Sequence, residues 1–498
     1  MALKSMARKE EIMSRYNLTL LTDLYELTMM QGYYENSSNE TVVFDVFYRN
    51  NPSGGAYAIT AGLEQVIDYI KNLSFDQEDI DYLKSTGFFH DAFLNYLSSF
   101  RFSGDIYAIP EGTVVFPKEP LLKVVAPIIE AQLIETAILN IINHQSLIAT
   151  KASRVVYAAG GGVMEFGLRR AQGPDAGTYG ARAAVIAGCV GTSNVLAGKM
   201  FDIPVKGTHA HSWIMSFKTE LEAFRNYARL YPDNCLLLVD TYDTLKSGVP
   251  HAIQVFDEMK AAGITPKLYG IRLDSGDLAY LSKKARKMLD AAGYTDAVIS
   301  ASSDLDEYLI ESLKSQGAQI TSWGVGTNLI TSKDCPAFGG VYKLAAVEGP
   351  DGSFIPKIKV SENIEKVTNP GNKTIFRLYD KVTGKIRGDL ISLVGESYDS
   401  GNSLIIFDPI ATWKRTYLEA DSYTVRELLV PVFKNGECVY TTPSVMEIQA
   451  YCMKELETLW DESRRLANPQ TVYVDLSKPL WELKNQLLDN IHNFKDKR

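Results

Sequence analysis

Cysteine is scarce, with five in 498 residues. Cys189, Cys235, Cys335, Cys438 and Cys452 are scattered and odd in number, and no two form a CxxC pair. That pattern excludes a disulfide framework and a thiolate zinc site, and it suits a reducing compartment. A basic block is also missing: 51 Lys and Arg stand against 60 Asp and Glu, a formal net charge of −9. The chain therefore carries no electrostatic footprint for nucleic acid. No apolar run is long enough to span a bilayer, and the first residues lack the charged-then-apolar order of a signal peptide. The expectation is a cytoplasmic protein that meets neither membrane nor nucleic acid. Three nucleotide and metal motifs are absent too. Gly198-Lys199 has Ser193 where a P-loop needs its first glycine, Gly324-Val-Gly326 stops short of GxGxxG, and no HExxH occurs. A P-loop kinase, a Rossmann dehydrogenase and a metalloprotease of the HExxH type are thereby disfavoured.

What is present is an ordinary globular composition, 46% hydrophobic and 22% charged, over a length that calls for two or more domains. Residues 1–12 are polar and expected to fray. Residues 22–31 read as a helix with Leu24, Leu27 and Thr28 on one face and Thr22 or Asp23 as cap. Residues 41–48, rich in β-branched and aromatic side chains, read as a strand, followed by a loop over 49–55. Helical patterns fill 61–73 and about 76–99, short strands lie near 105–109 and 113–116, and a long helix is expected over 127–150. Residues 1–150 thus form an α/β domain with linking helices.

Over 151–350 the texture changes to short apolar segments, each ending in a polar or glycine-rich tip and followed by a helix-like stretch. The segments 163–166, 185–190, 204–206, 235–239, 269–271, 297–299 and 322–324 are read as parallel strands. Their tips are Gly167-Leu-Arg-Arg170, Gly191-Thr-Ser-Asn194, Gly207-Thr-His-Ala-His211, Asp240-Thr-Tyr-Asp243, Arg272-Leu-Asp-Ser-Gly-Asp277, Ser300-Ala-Ser-Ser-Asp304 and Val325-Gly-Thr-Asn328. This repetition predicts an irregular β/α barrel whose tips share one mouth. Residues 351–440 read as a β-rich segment packing with the N-terminal domain, with strands at 357–360, 374–379, 390–393 and 404–407. Residues 441–498 form a helical region, with helices over 444–466 and 480–495.

The tips offer anion chemistry. Arg169, Arg170 and Arg272 suit bidentate contacts with phosphate or carboxylate. Gly326-Thr327 and Ser302-Ser303 occupy the last two tips, where such barrels hold a phosphate. Asp240, Asp243, Asp274 and Asp277 could hold Mg²⁺ through water. The spacing of His209 and His211 leaves their roles open between loop residues that satisfy backbone groups and an acid, base or phosphoryl acceptor.

Read together, Thr22-Asp-Leu-Tyr25, Glu135-Thr-Ala-Ile-Leu-Asn140, Phe166-Gly-Leu-Arg-Arg-Ala-Gln-Gly173, Gly207-Thr-His-Ala-His-Ser212, Arg272-Leu-Asp-Ser-Gly-Asp277 and Gly324-Val-Gly-Thr-Asn328 resemble the nicotinate phosphoribosyltransferase family. The resemblance implies an irregular barrel with a second α/β domain built from the N-terminal segment and part of the C-terminal region. It also implies a homodimer with active sites shared at the subunit interface. The implied reaction joins nicotinate to 5-phosphoribosyl 1-pyrophosphate with Mg²⁺. ATP hydrolysis is coupled to it through a transient phosphohistidine, placed at His211 by the Gly-Thr-x-x-His-Ser pattern, with His209 at a variable position. By the same resemblance Phe166 and Tyr25 (the latter from the partner subunit) sandwich the pyridine ring, and Thr208 and Arg272 contact nicotinate. The resemblance also gives Arg169 to the phosphoribosyl donor and Thr327 to its 5′-phosphate; from the chemistry of the tips Asp274 and Gly326 join them in binding the donor, and Asp240 and Asp274 are expected to hold the metal through water.

Ser193 bears on the choice of base. Nicotinamide-using relatives carry an aspartate at the matching place, which would repel nicotinate's carboxylate, whereas a serine can donate to it. The alternatives are a nicotinamide or quinolinate phosphoribosyltransferase and, in another class, a non-catalytic protein that binds a phosphorylated metabolite. A barrel aldolase would want a tip lysine, and Lys206 alone occupies such a place.

Overall fold

Eight residues, Thr41–Tyr48, run with all but the first buried, and this explains their composition: a strand covered on both faces needs β-branched and aromatic side chains throughout. The computed structural model describes residues 17–363 and 366–495, so the polar stretch 1–12 lies outside the described residues. Two compact units divide it. The first takes the chain up to Thr150 and again from Ala337, and the second is Lys151–Pro336.

In the first unit Thr41–Tyr48 is an interior strand, third in order, of a seven-stranded sheet. The order is Phe354–Pro356, Gly340–Glu348, Thr41–Tyr48, Leu122–Pro127, Asp105–Ala108, Val430–Lys434 and Glu437–Cys438, every pair antiparallel. Phe44 stacks on Tyr342 across two of these strands, with centroids 4.5 Å apart. Gly340–Glu348 thus belongs to this sheet, and the second unit ends short of the expected residue 350. A four-stranded sheet orders Tyr423–Glu427, Lys373–Asp380, Ile386–Leu393 and Val474–Leu476, the last pair parallel. A hairpin pairs Leu404–Phe407 with Arg415–Leu418. The expected strand at 357–360 is absent; pairing occurs just before it, at Phe354–Pro356. The C-terminal helices are Val445–Glu457, Asp461–Arg464 and Lys478–Lys495.

Three helical expectations change. The pattern over 76–99 is two helices, Gln77–Ser85 and Asp91–Ser98, because Gly87 lies between them at φ +72°. The stretch 127–150 begins in a strand, then forms Ile128–Leu133 and the longer Glu135–Ala159. Leu24–Glu35 is helical but buries Glu26, Leu27 and Met30, leaving Leu24 and Thr28 exposed. Its Asp23 caps no amide with its side chain and instead accepts from the Thr136 hydroxyl at 3.0 Å.

Burying Glu26 creates a carboxylate cluster. Gln132 donates to Glu26 and, at 3.5 Å, to Glu135, while Lys343 stands 3.8 Å from Glu135. Burial first, then the Glu26 carboxylate, lifts the Glu135 pKa to about 7. A folded-state pKa above the unfolded value keeps the proton on the native state, so stability falls as pH rises from the unfolded pKa of about 4.3 towards about 7. Glu135→Gln should therefore gain on the parent, its melting temperature rising relative to the parent's between about pH 5 and about pH 8. A difference that stays flat over that range would contradict the reading.

The second unit holds a parallel sheet built from β1 (Val163–Glu165), β2 (Cys235–Leu238), β3 (Tyr269–Leu273), β4 (Val298–Ala301) and β5 (Ser322–Val325), in the order β1-β5-β4-β3-β2. Beyond β1, single-residue parallel bridges link Glu165 to Thr192 and Thr192 to Val205. Seven parallel positions therefore follow one another, with helices such as Val249–Ala261 and Leu278–Ala291 between strands. Residues 185–190, expected as a strand, instead begin as the last turn of the buried helix Pro174–Ile186, and pairing is delayed to Thr192.

Candidate active site

Parallel strands present their C-terminal ends on one side, and the polar tips follow in sheet order around that rim. Gly324 on β5 leaves room for its neighbour: a Cβ there would lie 2.6 Å from the Phe166 ring. Gly326 passes the Phe166 carbonyl less tightly, a Cβ meeting it at 3.3 Å. Phe166, Gly326 and Thr327 are thus drawn together, with Arg169 exposed on the 3₁₀ turn Leu168–Arg170 of the Phe166 tip. Ser193 sits on the next tip, its N–H donating to the Glu165 carbonyl at 3.0 Å.

Arg272, at the end of β3, organises the opposite side. Its Nε donates to Ser302 Oγ at 2.9 Å, and one terminal nitrogen donates to Thr208 Oγ1 at 2.7 Å and to the His209 carbonyl at 3.3 Å. The other reaches Asp274 Oδ1 at 3.4 Å. The Ser302 hydroxyl also donates to Asp274. Burial pushes the Asp274 pKa up, but the Ser302 hydrogen bond and the Arg272 charge outweigh it and hold the carboxyl below the usual range.

Asp240 follows β2, its side chain almost wholly buried. Its Oδ2 accepts from the Asp274 N–H at 2.8 Å and the Ser275 hydroxyl at 2.7 Å, while Oδ1 is buried without a partner. His211 opens the helix His211–Met215 and is the accessible imidazole. Its Nδ1 lies 3.1 Å from Thr241 Oγ1, and its Nε2 faces Asp274 Oδ2 at 3.7 Å and Asp240 Oδ1 at 4.0 Å.

His209 differs in every respect. It is 8% exposed, and its ring packs edge-on against Tyr227 at 4.6 Å. Its Nε2 accepts the Leu238 N–H at 3.3 Å. Burial lowers its pKa to about 4, so the ring is neutral near pH 7.

Phe166, Arg169, Ser193, Thr208, His211, Asp240, Arg272, Asp274, Gly326 and Thr327 therefore all lie on the C-terminal rim of one sheet. Tyr25 belongs to the first unit and stands exposed on Leu24–Glu35. Two contributors escaped the sequence reading. Thr241 stands between Asp240 and Asp243, and a lone threonine there carries no sequence signal of its own. Glu165 is fully buried and accepts from Thr192 Oγ1 at 2.6 Å and from the Gly167 N–H; its signal was a lone carboxylate in an apolar strand. Among the described residues, no group of three or more His, Cys, Asp or Glu side chains could hold a metal by itself. The orphaned Asp240 Oδ1 near Asp274 instead suits a cation that keeps most of its water, as Mg²⁺ does. No described helix is long and apolar enough to cross a membrane.

Three family models match the chain. They are the nicotinate phosphoribosyltransferase N-terminal domain over residues 20–143, the nicotinate phosphoribosyltransferase family over 162–348, and the C-terminal domain over 372–484. The nicotinate phosphoribosyltransferase of Bacillus subtilis is 46% identical over 483 residues, covering 97% of this chain and 96% of its own. The human enzyme is 32% identical, covering 94% and 96%. The crystal structure of human nicotinic acid phosphoribosyltransferase superimposes with a TM-score of 0.80 at 29% identity, covering 94% of this chain and 99% of its own.

Proposed function

The chain belongs to the nicotinate phosphoribosyltransferase family and joins nicotinate to 5-phosphoribosyl 1-pyrophosphate, and we propose that ATP drives this reaction through a phosphoryl group carried on His211. The observation that carries the proposal is the contrast between the two imidazoles. His209 is buried and committed to Leu238, whereas His211 is accessible, with Nε2 directed at two carboxylates. In the tautomer that carries its proton on Nδ1, within reach of the Thr241 hydroxyl at 3.1 Å, Nε2 has the lone pair that attacks the γ-phosphorus of ATP. The N–P bond forms as the bond to the ADP oxygen breaks, and later transfer to water releases phosphate and restores the ring. A phosphoryl group on Nε2 would face Asp240 and Asp274, so a divalent cation is needed between like charges. Those two residues would hold a hydrated Mg²⁺, which supplies charge neutralisation for the phosphate oxygens.

In this reading Arg272 and Thr208 receive the nicotinate carboxylate, Ser193 adds a donor to it, and Phe166 stacks on the pyridine ring. Arg169, Asp274, Gly326 and Thr327 take the phosphoribosyl donor. As pyrophosphate leaves, C1 of the ribose gains positive charge and the pyridine nitrogen closes on it, while the arginines stabilise the departing anion. Exposed Leu24, Tyr25 and Met29 on one helix support a homodimer in which a second copy covers this face and Tyr25 completes the partner's stack. The five free cysteines support work in a reducing compartment, the cytoplasm.

Phosphorylation of His211 would add a group of about −1.5 to −2 charge to the ring, enough to reorder the cations around it. Incubation with ATP and Mg²⁺, followed by mass spectrometry under conditions that preserve acid-labile phosphate, should locate the label on His211. A label elsewhere, or none, removes the proposal.

A further inference from the structure

The amide directions along β2 show where its unpaired side lies. The N–H groups of Cys235 and Val239 donate to the carbonyls of Leu268 and Arg272, on the β3 side. Amides alternate along a strand, so the Leu238 N–H points the other way, off the open edge of the sheet. The far edge of the same sheet is Val205, bridged to Thr192. Four residues after Val205, the His209 imidazole accepts the Leu238 N–H. That side chain therefore supplies the hydrogen bond that a neighbouring strand would have made. The same residue's carbonyl accepts from Arg272, and Thr208 beside it accepts from the same guanidinium nitrogen.

We infer that His209 is a positioning residue: its imidazole ties the segment following Val205 to the β2 edge, and this connection fixes the carbonyl and hydroxyl that orient Arg272. The required feature is an acceptor at the Nε2 position, with the Leu238 amide as its donor. The aromatic cage of Tyr227 and Phe224 keeps the ring in place and keeps water from satisfying that amide instead. His209 acts at a distance from the reacting atoms, through Arg272, and takes no phosphoryl group. The inference rests on the reading above that Arg272 and Thr208 receive the nicotinate carboxylate.

The test compares three variants of the full chain. His209→Phe keeps an aromatic ring without the acceptor. His209→Asn carries an amide oxygen that stops near the Nδ1 position, and His209→Gln carries one that reaches the Nε2 position. Loss of the acceptor should raise the KM for nicotinate about tenfold in the Phe and Asn variants with a smaller change in kcat, since a remote binding contact is weakened. The Gln variant should stay within about threefold of the parent. Should His209→Phe fail to fold, the Asn and Gln variants decide the matter by themselves. The inference is overturned if the Asn variant keeps the parent KM, or if the Gln variant is as impaired as the Asn variant. Phosphate mapping on the same proteins separates the two readings: the label should remain on His211 in all of them. A label on His209 in the parent would sink the functional proposal and this inference with it, whereas a flat KM pattern sinks this inference alone.

Discussion

Replacing Arg272 by alanine should lower kcat/KM for nicotinate by about two to three orders of magnitude, the range seen when one preorganised donor at a charged centre is lost. The guanidinium binds Ser302, Thr208, the His209 carbonyl and Asp274 at once, so it sets the relative positions of three separate tips. Its removal deletes a donor to the substrate carboxylate and also the charge that, after the Ser302 hydrogen bond, helps hold the Asp274 carboxyl below the usual range. Lysine should recover little. An ammonium presents its donors from one point, whereas these acceptors are arranged around a planar fork. Steady-state kinetics at saturating ATP and donor would measure the loss, with a thermal melt showing that the fold is intact. A decrease smaller than about fivefold in the alanine variant would mean that Arg272 lies beside the site without serving it.

The largest stability effect is expected in the first unit, at Arg377. This fully buried guanidinium donates to both oxygens of Asp389, at 2.9 and 2.6 Å, and to Glu455 at 3.4 Å, with Phe116 beneath it at 5.1 Å. Arg426 also donates to Glu455, at 2.7 and 3.0 Å. Glu119 stands 3.9 Å away, and burial followed by the Asp389 carboxylate raises its pKa strongly, which favours its protonated form. Two guanidinium groups then balance two carboxylates. Arg377→Met fills much of the space but strands Asp389, and breaking such a buried set by removing one partner costs about 3–5 kcal/mol. The melting temperature of the first unit should fall by roughly 5–10 °C. Glu119→Gln imitates the protonated form and should shift it by less than about 2 °C. If the glutamine variant proved as unstable as the methionine one, Glu119 would have to be ionised and this charge balance would be wrong.

How far the sequence revealed this molecule depended on whether local pattern and burial agreed. At Thr41–Tyr48 they did, since a strand hidden on both faces reads as one unbroken apolar and aromatic run. Leu122–Pro127 escaped notice because it runs directly into Ile128–Leu133, and the joint apolar stretch looks like one helix entered at a proline. Residues 185–190 misled for the opposite reason. The helix that contains their start opens at Pro174 and passes through Gly177 and Gly180, residues that resemble loop punctuation. Gly177 is there because Leu168 packs against it, a Cβ meeting the Leu168 side chain at 2.7 Å. Close packing of this kind has no periodic signature. The tips were legible because their polar residues had no place in a core. The difference between His209 and His211 was not legible, since a helix begins at the second of them and turns the two rings into unlike surroundings.

The missing side chain at position 324 has a consequence for what the rim can accommodate. The Cδ2–Cε2 edge of Phe166 stands where a side chain at 324 would begin, so that edge is held by main chain and not by a neighbour that could change rotamer. Even a single methyl group at 324 would have to displace the ring. The aromatic wall that a flat heteroaromatic guest would meet is therefore set by the backbone of one strand, and selection among rings falls to their substituents.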